Sequence, residues 1–174
     1  CGQGSDRIFE YALSSAFDVS TASYTSNSYN VQPNIYKAMA VQFNTDGTKM
    51  FVLDETGDDV NEFTLSVGFD IGPAFTFVDA FSVVSEEANP RGFTFNTDGT
   101  KMFVTGYTGD DINEYTLSSA FDVSTASFVD AFSVSSQDSQ ARCVKFNSDG
   151  TKMFVLGSVN DSIYEYTLSV GFDV

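Results

Sequence analysis

Apolar residues along this chain fall in short runs bounded by Asp, Gly, Asn, Ser and Thr, and no stretch sustains a helical period. Runs such as Met50-Phe51-Val52-Leu53 and Ile8-Phe9-Glu10-Tyr11-Ala12-Leu13 are rich in the β-branched and aromatic residues that suit a pleated surface. The runs also recur. Phe43-Asn44-Thr45-Asp46-Gly47-Thr48-Lys49-Met50-Phe51-Val52 returns unchanged at 95–104 and, with Ser148 for threonine, at 146–155, offsets of 52 and 51 residues. Self-similarity at that period is the signature of a propeller blade or another stacked array.

Aligning the copies predicts four antiparallel strands per repeat, roughly 38–44, 49–55, 60–66 and 75–84 in the first complete one. Third strands recur at 8–13, 112–117 and 163–168; fourth strands recur at 127–134 and, diluted by Ser and Asn, at 24–31. Between the first two strands stand Asp46-Gly47, Asp98-Gly99 and Asp149-Gly150, read as structural turns in which Gly supplies positive φ. Centring the hairpin there pairs Phe43 with Met50, Val41 with Val52 and Ala40 with Leu53. Several strands are apolar at both parities, so both faces of each sheet must be covered, as in blades stacked on two neighbours. The expected fold is therefore an all-β propeller of four-stranded blades, divided 1–37, 38–89, 90–140 and 141–174.

Only about 3.4 repeats are present, fewer than the four to eight blades of a closed ring. Three stacked blades would leave two apolar faces in water. Either the chain is a piece of a longer protein or it closes a ring by self-association. Two copies supply about six blades if the N-terminal strands of one complete the C-terminal blade of the other.

The stretch Pro90-Arg91-Gly92-Phe93-Thr94-Phe95-Asn96-Thr97-Asp98-Gly99-Thr100-Lys101-Met102-Phe103-Val104 resembles the first hairpin of YVTN- and NHL-type propeller repeats. Asn-Thr-Asp-Gly stands where those repeats usually have Ser-Pro-Asp-Gly, and the link from third to fourth strand is longer. The resemblance spans nearly the whole chain and implies fold rather than activity. Phage and bacterial surface proteins carry similar repeats, which implies an extracellular or particle-surface location.

Charge and residue inventory narrow the function. A formal net charge of −16 argues against a nucleic-acid partner, which needs clustered Lys and Arg. No apolar run approaches the ~20 residues of a membrane helix. Histidine is absent, which removes the usual neutral-pH base and makes Ser-His-Asp chemistry unattainable. Cys1 and Cys143 lack zinc spacing, and Cys143 is expected to be buried at the small-residue position of Ala40 and Gly92. Asn-x-Asp-Gly lacks the further oxygens and closing glutamate of a calcium loop; no metal site or cofactor is expected, with calcium the one cation the acidic loops leave open. Asn160-Asp161-Ser162 fits the glycosylation pattern.

Loops after the second and fourth strands should share the funnel face. There, the residues that vary between repeats are the candidates for ligand binding: Glu55, Arg91, Tyr107 and Arg142. The recurrent Asp6, Asp58, Asp110 and Asp161 are expected to tie down the turn before the third strand by accepting backbone N–H groups. The expected function is a non-enzymatic, lectin-like binding module, multivalent and suited to carbohydrate, or a unit of surface or particle assembly. The alternatives are a metal-dependent lactonase or esterase using funnel carboxylates, with no catalytic residue singled out, and a pure scaffold.

Overall fold

The computed structural model describes residues 7–73 and 75–174; Cys1 and Asp6 lie outside them. The described residues form thirteen strands in four antiparallel sheets. The first sheet pairs β1 (Arg7–Leu13) with β2 (Ala22–Asn30). The second runs β3 (Ala38–Phe43), β4 (Lys49–Asp54), β5 (Asp59–Leu65), β6 (Phe75–Ser82), and the third β7 (Pro90–Phe95), β8 (Lys101–Gly106), β9 (Asp111–Leu117), β10 (Ala126–Ser133). The fourth holds β11 (Ala141–Phe146), β12 (Lys152–Gly157) and β13 (Ile163–Thr167). Each strand neighbours the next in sequence, so every sheet is a meander and a blade. Two complete blades sit between an N-terminal half-blade and a three-stranded C-terminal blade. The sheets do not close into a ring.

Hairpin register is as the pattern predicts: Phe43 faces Met50, Val41 faces Val52, Ala40 faces Leu53, and Cys143 faces Leu156. The turn itself is longer than a two-residue Asp-Gly connection. Gly47 N–H donates to Asn44 C=O at 3.2 Å, and only Gly47, not Asp46, has positive φ (73°). Asp46 instead accepts from the backbone N–H and hydroxyl of Thr48 at 3.0 and 2.6 Å, an arrangement repeated by Asp98 with Thr100 and Asp149 with Thr151.

The turn glycine has a second reason to be glycine. Phe69, Phe121 and Phe172, each at positive φ of 54–59°, lay their rings over Gly47, Gly99 and Gly150. A Cβ on Gly99 would fall 2.2 Å from the Phe121 ring. Phe121 N–H also donates to Gly99 C=O at 2.9 Å, so the link after the third strand is folded back onto the first hairpin. A bulky residue in the left-handed region costs about 1–3 kcal/mol, and ring packing over the glycine offsets that cost.

Blades are joined by apolar contact and by one buried polar clamp. Phe51, Leu53 and Val60 of the first complete blade pack with Phe93, Met102, Val104, Tyr115 and Leu117 of the next; Phe103 and Ile112 repeat this against Val144, Met153 and Val155. Inside the first of these interfaces, Glu62 pairs with Lys49 at 2.7 Å and accepts the N–H of Val123 from the following blade at 3.1 Å. Lys49 completes the clamp by donating to Phe121 C=O at 2.7 Å. Lys101 and Glu114 repeat it on Phe172 C=O (2.6 Å) and Val174 N–H (3.1 Å). Glu10 likewise accepts from Ile71 N–H at 2.9 Å.

Cys143 departs from its expected burial. It is only half-buried and lines a cavity with Lys145, Phe154, Leu156 and Ile163, because the C-terminal blade has no neighbour on that side.

Two outcomes test this packing. Gly99→Ala combines positive φ with a clash against Phe121 and is expected to cost about 2 kcal/mol or more, a melting-temperature drop of roughly 5 °C or more by calorimetry. Glu114→Ala removes the buried partner of Lys101, leaving only the exposed Asp173 at 3.5 Å, and should cost about 3 kcal/mol. At concentrations that keep the chain monomeric, the equivalent Glu165→Ala, at an exposed pair, should change stability by no more than about 0.5 kcal/mol. Equal effects at Glu114 and Glu165 in denaturant titrations would contradict the clamp.

Candidate functional site

The funnel-face loops are held by one carboxylate per blade, and the blades deliver it from opposite sides. In the first complete blade Asp54, the last residue of β4, accepts the N–H groups of Tyr36 and Lys37 at 2.8 Å each and of Thr56 at 3.0 Å. The next two blades have Gly106 and Gly157 at that repeat position, and the carboxylate comes from the loop before the first strand. Glu87 accepts from Asn89 and Thr108, and Asp138 from Gln140 and Asn160. The glycines are what make room: a Cβ on Gly106 would lie 2.5 Å from the Glu87 carboxyl carbon, and one on Gly157 2.3 Å from that of Asp138. The adjacent acids of these loops are thus loop staples first.

On this frame the four residues proposed from sequence converge. Arg91 stacks on the ring of Tyr107 with its guanidinium carbon 4.3 Å from the ring centroid, and Arg142 approaches the same ring at 5.7 Å. Glu55 accepts from Arg91 Nη1 at 2.8 Å and pairs with Lys37. Tyr107 reaches the next blade, its hydroxyl 3.3 Å from Ser158 Oγ. Lys37, Met39, Arg91, Tyr107 and Arg142 line one open cavity of about 390 Å³. A continuous polar chain therefore steps across three blades, from Lys37 and Glu55 through Arg91 and Tyr107 to Arg142 and Ser158.

Lys37 was not among the sequence candidates. The signal was nonetheless present, since Asn89 and Gln140 hold its repeat position and it is a basic residue outside the repeated hairpin motif. The eight basic residues divide cleanly. Lys49, Lys101 and Lys152 belong to the clamp position, Arg7 bonds to Ser28 at 2.7 Å, and Lys145 reaches Thr94 at 3.3 Å. The remaining three, Lys37, Arg91 and Arg142, all face this cavity. In a chain of net charge −16, that makes the cavity a local cationic centre in an acidic surface.

The recurrent aspartates do less than expected with their side chains. Asp58, Asp110 and Asp161 sit at φ of 50, 55 and 48°, a left-handed conformation that aspartate tolerates better than most residues. It is the main chain that ties the loop: Val83 N–H donates to Asp58 C=O at 2.8 Å and Val134 N–H to Asp110 C=O at 2.9 Å. Beside them, burial pushes Asp59 up to about 6, with Asp54 and Asp58 adding to the shift and Asn61 opposing it. Burial also raises Asp111 and Asp58. Among the described residues, no group of three or more His, Cys, Asp or Glu side chains is placed to hold a metal ion.

No protein-family model and no curated protein sequence matches this chain. Solved structures do match, and they define it as a β-propeller-type fold. A protein from Bacteroides fragilis provisionally named a 6-phosphogluconolactonase superposes with a TM-score of 0.66 at 14% identity, over 95% of this chain and 45% of its own. A periplasmic gluconolactonase from Pseudomonas aeruginosa gives 0.65 at 16% identity, over 95% and 45%. The Swd1 β-propeller domain of Myceliophteria thermophila gives 0.59 at 11%, over 82% and 41%. The chain thus spans about half the length of the structures it resembles. These matches support a propeller without reaching the YVTN or NHL repeats specifically.

The comparison also corrects an expectation. A chain without histidine was expected not to be an enzyme; that expectation is overturned by neighbours of the same fold that are named as lactonases. They lend no support to the lectin-like or surface-assembly reading. Among the described residues no helix is long and apolar enough to cross a membrane.

The carboxylates predict a two-limbed pH dependence. Asp59 titrates higher in the folded state than unfolded, so its ionisation opposes folding above about pH 6 and ceases to do so as pH falls toward 4. Asp46, Asp98 and Asp149 are held below their ordinary values by hydrogen bonds from Thr48, Thr100 and Thr151; their contribution is present above about pH 4 and lost below it. The melting temperature should rise as pH falls from about 6.5 to about 5 and fall below about 4, and Asp59→Asn should shrink the first limb, which Asp58 and Asp111 share, without altering the second.

Proposed function

We propose that this chain is the substrate-recognising part of a lactonase-like propeller enzyme whose funnel takes an anionic sugar lactone. The observation that carries the reading is the convergence of Lys37, Arg91 and Arg142 with Tyr107 on one cavity of about 390 Å³ in a strongly acidic chain. The neighbours named as lactonases support the reaction class, and their names supply the substrate class, a six-carbon sugar lactone, of which the phosphorylated form is the anionic one that the cavity suits.

The residues present suit that chemistry. Hydrolysis adds water to the lactone carbonyl, breaks the ring C–O bond, and returns the proton to the alkoxide; negative charge builds on the carbonyl oxygen before the bond breaks. Guanidinium groups fixed in advance by a ring face and a carboxylate stabilise such charge better than mobile side chains do. Arg91 has both supports, Tyr107 beneath it and Glu55 beside it. Arg142 and Lys37 flank it at the places where a phosphate or carboxylate of the substrate would be held. Glu55, shared between two cations, orients them. By the same analogy we place the protein outside the cytoplasm, in a periplasmic or secreted setting, as the name of one neighbour states for that protein.

The test is ring opening of glucono-δ-lactone and its 6-phosphate followed in a pH-stat, against the spontaneous rate. Acceleration is expected, with Arg91→Ala lowering kcat about tenfold or more and Arg142→Ala raising KM about tenfold, more for the phosphorylated substrate. Rates equal to the spontaneous ones for both lactones, with folded protein, would overturn the proposal.

A further inference from the structure

The full polar clamp joins the two complete blades to each other and the second of them to the C-terminal blade, while at the N-terminal interface Glu10 alone grips Ile71; the clamp is open at both described ends. On the C-terminal blade, Lys152 Nζ holds Glu165 Oε1 at 2.5 Å, the same pair as Lys49–Glu62 and Lys101–Glu114. Within the chain, each of those pairs also grips a following blade, through the carbonyl of a Phe and the N–H of the Val two residues on. Among the described residues, no following blade meets Lys152 and Glu165. On the N-terminal half-blade, the matching acceptor and donor are Phe17 C=O and Val19 N–H, in the repeat Phe17-Asp18-Val19 that corresponds to Phe121-Asp122-Val123. Phe17 already has the positive φ of its counterparts (60°), and Asp18 caps the turn through Ser20 at 3.0 Å just as Asp122 does through Ser124 at 3.2 Å. The half-clamp is therefore preformed.

The apolar surroundings match in the same way. Leu53 and Val60, 0% exposed at an internal interface, correspond to Leu156 and Ile163, which are 41% and 72% exposed at the C-terminal end. On the opposite side, Leu117 and Val123, 2% and 0% exposed, correspond to Leu13 and Val19, 42% and 82% exposed, with Tyr11 beside them in the place of buried Tyr115. Each end of the chain thus presents one half of an interface whose other half is at the opposite end.

We propose that the occupant of the C-terminal face is the N-terminal half-blade of a second copy of this chain, docked head-to-tail. In this joint the partner's Val19 N–H meets Glu165 and its Phe17 carbonyl meets Lys152, while Leu156 and Ile163 pack on Leu13 and Val19 of that copy. The half-blade stacks as the next blade and does not supply a fourth strand to the C-terminal blade. The reason is that β1 and β13 hold the same repeat position and both are already paired, β1 with β2 and β13 with β12. Stacking keeps both ladders, whereas strand completion would break one of them. A heterologous joint of this kind closes a ring when the rotation permits.

The test is sedimentation velocity and native mass measurement on the wild-type chain at tens of micromolar, then on Val19→Asp and Ile163→Asp. Both changes fall on exposed side chains, so each variant should melt where the wild-type chain does under conditions that keep it monomeric. The wild-type chain should run at twice 18.9 kDa or above, and each variant alone should associate at least tenfold more weakly. Mixing the two variants should restore a one-to-one dimer, because one retains the C-terminal face and the other the N-terminal face. A monomeric wild-type chain overturns the proposal. So does a mixture that associates no better than its components, and so does normal association of Ile163→Asp, which would indicate completion of the C-terminal blade in place of β13.

Discussion

The inner strands of the complete blades are apolar on both faces, and that constraint governs the rest. A sheet with one wet face can stand against a single core, but these blades must be sandwiched. Phe51 and Leu53 face one neighbour while Met50 and Val52 face the other, and all four are fully buried. Apolar contact alone would let such faces slide. The buried Lys–Glu pair, which reaches across to one carbonyl and one N–H of the following blade, sets where each blade stops on the next. It is a costly device in a low-dielectric interface, and its use at successive interfaces is consistent with a role in register more than in raw stability.

The funnel face depends on the same order. Because the blades sit in fixed register, repeat positions that are 51 or 52 residues apart in sequence become neighbours around one mouth. Met39, Arg91 and Arg142 occupy one such position, and the cavity forms where two of the three are arginine. The staples behind it show how the loops tolerate divergence. A carboxylate is required at each blade to satisfy the loop N–H groups, but it can come from Asp54 or from the facing loop as Glu87 or Asp138, and where the facing loop supplies it the strand position is glycine. With the loops held by these carboxylates, the variable positions in front of them are free to carry binding chemistry.

The half-length match to lactonase-type propellers and the open clamps at the two ends describe one situation from two sides. The solved structures that share this fold are about twice as long, and the chain's own interfaces end unsatisfied in complementary halves. In the head-to-tail joint proposed above, a second copy would cover both open faces.

Much of this was legible in the sequence. The recurrence of Asn-Thr-Asp-Gly-Thr-Lys-Met-Phe-Val determined four strands per blade, the meander order and the hairpin register, because turn chemistry and two-sided apolar patterning are local. Position within the repeat also singled out Glu55, Arg91, Tyr107 and Arg142. Three things needed the tertiary structure. Lys37 joined the site only when Glu55 and Arg91 were seen beside it, since its own neighbours in sequence carry no charge pattern. The clamp joins residues some 60 to 72 positions apart through backbone groups, which leave no mark in side-chain identity. The turn glycines proved to be fixed by a phenylalanine of the same blade as well as by φ. Local pattern dictates strands and turns; what lies between blades is decided by long-range contact, and there only the folded chain brings the partners together.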